Sequence, residues 1–224
     1  MRRAFLFVAE SGRIPWLGVT GHSIRATLTT MRLPGLLVVT VAVQLLVLGS
    51  SAAQPGVPPV LEFARSRDPG IVTLLRHARA PGTGDPQGFR LDECSTQRNL
   101  SEQGRRDARR LGDVLRSVGV KDADVHSSQW CRCLETARLL GVGAVAEAPW
   151  LNSFFAGRGD EDAATQALRL AVLRKIDSRR PTFFITHQVN ITALTGVVPT
   201  EGEAVFVRAT AAGTVEVVGR ARVP

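Results

Sequence analysis

From Ile71 onward the chain alternates short apolar runs with segments of helical period, and this alternation constrains the fold more than any other feature. Ile71 to Leu75 (IVTLL) is almost wholly apolar, the pattern of a strand buried on both faces. Ser101 to Val118 sets Ala108, Leu111, Leu115 and Val118 on one helical face, with Arg105, Arg106, Arg109, Asp113 and Arg116 elsewhere. Asp124 to Ser127 reads as a second short strand, and Trp130 to Leu140 as a helix with Leu134 and Ala137 inward. Ala163 to Ser178 is a further amphipathic helix, and Thr182 to Thr186 (TFFIT) a strand that stops at His187. Ala204 to Val207 and Val215 to Val218 close the chain as a hairpin around Ala211-Ala212-Gly213. Strands separated by helices predict an α/β domain with a mostly parallel central sheet.

The N-terminal part reads differently. Leu36 to Gly49 is apolar except for Thr40 and Gln44, follows Arg32, and precedes Ser50-Ser51-Ala52-Ala53. A basic residue, a short apolar run and a small-residue cleavage site make a secretory signal peptide. The run is shorter than the ~20 apolar residues that span a bilayer comfortably, so an uncleaved membrane anchor is the second reading. The expected organisation is an extension at 1–30, with translation starting at Met31, and a signal peptide or anchor at 31–53. A Pro/Gly linker follows at 54–69 and a single catalytic domain at 70–224. Such a protein is periplasmic or secreted, or tethered to a membrane through the apolar segment.

Charge bears on partners. The formal net charge is +8, but the first 53 residues hold five arginines (Arg2, Arg3, Arg13, Arg25, Arg32) against Glu10, and their removal leaves +4. Aromatic residues make up only 5% and tyrosine is absent, so a nucleic-acid surface is not expected.

Two of the four histidines, His77 and His187, directly follow apolar strands. In open parallel sheets ligands bind beyond the carboxyl ends of the strands, so the two are expected to meet. Arg76 precedes the first, and Arg132 lies at the start of the helix after the second strand. Guanidinium groups offer paired planar donors and stay charged, which suits a phosphate. The loop from Pro81 to Gly88 (PGTGDPQG) reads as a connection rather than a phosphate cradle.

These residues also carry a resemblance. LLRHARAPG (Leu74 to Gly82) resembles the Arg-His-Gly signature of the histidine phosphatase superfamily, the phosphoglycerate mutase-like proteins, with Ala78 where Gly is usual. NLSEQGRRDARRLG (Asn99 to Gly112), SSQWCRCLETA (Ser127 to Ala137) and FFITHQVNITALTG (Phe183 to Gly196) are similar to three further elements of that family, in order. The resemblance implies a three-layer α/β/α fold. It also implies a phosphatase acting on phosphomonoesters or phosphohistidine through a phosphohistidine intermediate on His77. Arg76, Arg132 and His187 would bind the phosphoryl oxygens, with no metal and no cofactor required. The expected substrate is a phosphorylated small molecule or a phosphorylated component of the cell envelope. A phosphate-binding module with little turnover, and a phosphomutase, are the alternatives.

Relatives often use a Glu soon after the third strand as proton donor, but Pro149 to Phe155 holds no carboxylate. The substitutes are Asp92 and Glu93, or Asp160, Glu161 and Asp162, with Asp92 preferred because its loop begins beside the nucleophile. Cys131 and Cys133, two apart on a helix, point to different faces and do not pair with each other; in an oxidising compartment a disulfide from Cys94 to one of them and free buried thiols are the two readings left open.

Overall fold

The structure, a computed structural model, describes residues 59–222. The expected extension, signal peptide and first part of the linker lie outside the described residues. The rest of the expected linker is ordered: α1 (Pro59–Glu62) leads into a 3-10 turn (Phe63–Arg67), and Phe63 is buried with its ring edge-on to Phe206, 6.1 Å between centroids. Packing therefore begins ahead of Gly70, because one large aromatic finds a place at the end of the core.

Six strands form one sheet: β1 (Ile71–Arg76), β2 (Asp124–Ser127), β3 (Val145–Glu147), β4 (Thr182–Thr186), β5 (Ala204–Ala209) and β6 (Val215–Ala221). Their spatial order is β3-β2-β4-β1-β5-β6. The four on the β3 side run parallel, while β5 and β6 add an antiparallel hairpin against β1. The helices are α2 (Glu102–Ser117), α3 (Cys131–Leu140), α4 (Glu161–Leu173) and α5 (Gln188–Thr195).

Alternation along β1 divides the core. Ile71 and Leu75 face Leu111 and Leu115 of α2 and Ala137 and Leu140 of α3. Val72 and Leu74 face Leu168 and Val172 of α4 and Ile191 and Leu194 of α5. Both faces of the sheet are thus covered, and the architecture is the three-layer α/β/α, phosphoglycerate mutase-like fold, with a mostly parallel sheet. At ~25 cal/mol per Å² of apolar surface, each fully buried Leu or Phe contributes about 1.5–3 kcal/mol to this arrangement.

Local chemistry sets the ends of the helices. The Ser101 hydroxyl accepts from Gly104 N at 3.0 Å and caps α2. A side chain at Gly112 would meet the Leu140 carbonyl oxygen at 2.2 Å, so this glycine lets α2 and α3 approach closely. α4 starts two residues ahead of the expected boundary because the Asp160 carboxylate accepts from Ala163 N at 3.0 Å. It also ends earlier, giving way to turns over 174–177.

Candidate active site

The register of the two central strands builds the site. Arg76 of β1 pairs with Thr186 of β4, and His77 N donates to the Thr186 carbonyl at 3.0 Å, so His77 and His187 emerge side by side beyond the strand ends. Their ring centroids are 5.6 Å apart, edge to face. Both are buried, and with Arg76 and Arg132 they line one cavity of ≈ 170 Å³. The four residues expected from the sequence are therefore gathered in one place.

Hydrogen bonds assign the protons on the two rings. His77 Nδ1 lies 2.8 Å from the Ala78 carbonyl oxygen, which can only accept, so Nδ1 carries the hydrogen and Nε2 keeps a lone pair. Arg132 Nη2 donates to His187 Nδ1 at 3.4 Å, leaving Nε2–H of His187 to donate to Ser128 Oγ at 2.9 Å. Ser128 Oγ donates in turn to Asn152 Oδ1 at 3.1 Å. Burial, and then the Arg132 charge, push His77 well below its usual value. Burial, and then His77 and Arg132, do the same to His187. Both imidazoles are neutral at neutral pH.

The arginines are held from behind. Arg76 Nη1 donates to the Pro199 carbonyl at 2.9 Å. Arg132 forms a paired contact with Asp85, Nη1 to Oδ1 at 2.7 Å and Nη2 to Oδ2 at 3.3 Å. The Nε–H groups of Arg76 and Arg132 are both buried without a hydrogen-bond partner. Such a donor is costly to leave unmet, and two of them beside one cavity define a place for an anion's oxygens.

Asp85 and Arg98 also line this cavity, and neither is among the residues expected from the sequence. The Pro81 to Gly88 loop is not a mere connection: Gly82, Thr83, Gly84 and Asp85 line the cavity. Asp85 accepts from Trp130 Nε1 at 3.0 Å and Arg98 N at 3.1 Å as well as from Arg132. Burial alone would raise its pKa, but the Arg132 hydrogen bonds and charge outweigh it and hold the carboxyl below its usual range. Arg98 Nε donates to the Gly84 carbonyl at 2.7 Å, and Nη1 to the Ala80 carbonyl. The available signal was positional, since charged residues in the loop after a parallel strand lie at the ligand-binding end of the sheet.

The preferred proton donor is not in the cavity. Asp92 is solvated, its side chain 79% exposed and 3.6 Å from Arg90, because the loop turns outward over 90–96 before returning at Gln97. Glu93 pairs with Arg90 at 3.2 Å, Asp160 is the α4 cap, and Glu161 and Asp162 are exposed in its first turn. Among the described residues lining the cavity, Asp85 is the only carboxylate.

The disulfide joins Cys94 to Cys131, with Cα atoms 5.7 Å apart. Cys133 is buried, its Sγ 3.5 Å from His187 Nε2. Ala78, where a glycine was expected, is buried and its N donates to Thr136 Oγ1 at 3.0 Å. Its φ is not positive, so the methyl group costs no backbone strain. Phe155, 44% exposed beside the left-handed Ala156 (φ +57°), and Arg158 form the rim. Among the described residues no cluster of three or more His, Cys, Asp or Glu is arranged to hold a metal ion.

A family model described as histidine phosphatase superfamily (branch 1) matches residues 72–152, the stretch from β1 past Arg132 to Asn152. No curated protein matches the sequence. The solved structure of the protein histidine phosphatase SixA with tungstate superposes with a TM-score of 0.50 at 17% identity, over 68% of this chain and 96% of that one. The ecdysone phosphate phosphatase of Bombix mori with tungstate gives 0.50 at 14% identity, over 69% and 93%. At such identities the likeness shows a common fold. The family match covers residues 72–152, the stretch that holds the paired Arg-His at the end of β1 and Arg132, and over that stretch the chain is similar to the histidine phosphatase superfamily.

Proposed function

We propose that the chain is a phosphatase that forms a phosphohistidine on His77. The observation that carries this reading is the meeting, in one cavity, of a neutral imidazole with its lone pair on Nε2 and two buried arginine N–H groups without partners. In the first step the Nε2 lone pair attacks phosphorus, the bond from phosphorus to the leaving oxygen or nitrogen breaks, and the leaving group departs with its electron pair. In the second, water attacks the phosphohistidine, releasing inorganic phosphate and restoring the imidazole. Arg76 and Arg132 offset the charge that builds on the phosphoryl oxygens, each worth about two orders of magnitude in rate.

The proton supply narrows the substrate. Asp85 is held ionised by Arg132, so it is a poor acid for an alkoxide leaving group. Substrates whose leaving group needs little protonation, aryl phosphates or phosphohistidine, fit best. Labelled aryl phosphate is expected to leave an acid-labile, alkali-stable label on the peptide containing His77, and His77→Ala to lose both label and turnover. Turnover undiminished in His77→Ala would overturn the reading. A second reading, a phosphate-binding module, is favoured by the same lack of a free acid; phosphate binding with no turnover of any aryl ester would select it.

The setting we propose is outside the cytoplasm. The apolar segment at 36–49, followed by small residues, supports export, and the Cys94–Cys131 bridge suits an oxidising compartment. The substrate there is a phosphorylated small molecule or envelope component. Cell fractionation with sequencing of the mature N-terminus is expected to find an exported protein beginning near Gln54, and full-length chain in the cytoplasm would refute this.

A further inference from the structure

A second cavity, of ≈ 370 Å³, opens on the other face of the sheet from α2 and α3, and it shares no residue with the first. Its floor is His126 of β2 and Phe184 of β4, partners in the strand register with rings 5.6 Å apart. Trp150 stands over both, 6.0 Å from the His126 ring and 5.0 Å from Phe184. Leu170 of α4 supplies the opposite wall and is 42% exposed. The cavity exists because α4 packs towards α5 and the turn around Trp150, leaving this part of the sheet uncovered.

Its charges are unevenly matched. Asp124, two residues before His126 on β2, is taken twice, by Lys175 Nζ at 2.5 Å and by His126 Nε2 at 3.0 Å. Arg174, also lining the cavity, has no hydrogen bond or ion pair from its guanidinium among the described residues. An aromatic slot with an unmatched cation at its edge repels cationic ligands and leaves its strongest donor unused by neutral ones. Ring surfaces favour a flat partner, and a guanidinium favours a carboxylate through paired, charge-assisted bonds. The volume lies in the range of small-molecule sites.

We propose that this cavity is a binding site for a small planar aromatic carboxylate, its ring seated against Trp150 over His126 and its carboxylate on Arg174. Naphthalene-2-carboxylate is the probe, titrated calorimetrically into the full chain with and without saturating inorganic phosphate. One molecule is expected to bind per chain, undisplaced by phosphate. Arg174→Ala, a surface change that leaves aryl phosphatase activity unaltered, is expected to weaken binding about tenfold, and the neutral naphthalene-2-carboxamide to bind the unaltered chain about as weakly. Displacement by phosphate, equal affinity in Arg174→Ala, or no binding at all would each overturn the proposal.

Discussion

Asp85 shows how one side chain sets the character of a site. The Asp85 and Arg132 side chains are each only 4% exposed, so each charge leans on the other more than on solvent. Removing one partner of a buried pair typically costs about 3–5 kcal/mol. Asp85→Asn keeps the shape and an acceptor oxygen, and is expected to lose stability near the lower end of that range in urea denaturation. In the function proposed, Asp85 positions Arg132 and does not donate a proton, so kcat/KM is expected to fall by the same factor for phenyl and alkyl phosphates. A fall confined to the alkyl ester would make it the acid. Arg76, His77, Arg132 and His187 were legible in the sequence because each sits next to a strand or helix boundary that hydrophobic periodicity reveals. Asp85 and Arg98 were not, since the 25 or so residues between β1 and α2 have no period, and there composition cannot tell a surface charge such as Asp92 from a buried one.

The connection from β1 to α2 behaves as an element in its own right, fastened at its middle to α3. Cys94 bridges to Cys131, and Gln97 Oε1 accepts from Cys131 N at 3.0 Å while its Nε2 donates to the Arg90 and Leu91 carbonyls. This fastening carries Arg98 to the cavity and fixes the start of the helix that bears Arg132. The bridge spans 37 positions, for which loop-closure entropy gives about 4 kcal/mol as an upper figure. Cys94→Ser is expected to lower unfolding stability by about 2–4 kcal/mol in guanidinium titrations, and reduction of the unaltered chain to match it. A Cys94→Ser chain as stable as the original would show that the hydrogen bonds of Gln97 suffice. The sequence left open free thiols or a bridge from Cys94 to Cys131 or Cys133; helix geometry decides, because Cys133 points to the sheet and lies 3.7 Å from the Thr186 carbonyl. Burial pushes the Cys133 thiol up to about 12. Iodoacetamide is therefore expected to leave it untouched in the native protein and to label it after denaturation, as seen by peptide mass.

At the scale of the whole molecule, the stability of the domain is tied to the protonation of its candidate active site. The mostly parallel sheet, legible from strand and helix alternation, brings two buried histidines together among arginines. The exact strand order was not legible, because a short run such as Val145–Glu147 carries too few side chains to signal its neighbours. Both histidines have depressed pKa values when folded, while in the unfolded chain they titrate near the ordinary value of about 6.5. Below that pH the unfolded chain binds protons that the folded one refuses, so stability falls as the solution is acidified from neutrality. The limiting slope is about 1.4 kcal/mol per pH unit for each histidine. Asp85, Asp124 and Glu203 are also held below their usual values. Their contribution is present above about pH 4 and is lost only as pH falls further, through their folded values, so the two windows are separable. Denaturant titrations of the phosphate-free protein between pH 7 and pH 5 are expected to show the histidine slope, and His77→Asn to reduce it by about half, since one of two proton-refusing groups is gone. An unchanged slope in His77→Asn would mean that His77 takes up a proton in the folded state, and the nucleophile we propose would then require deprotonation before it could attack phosphorus.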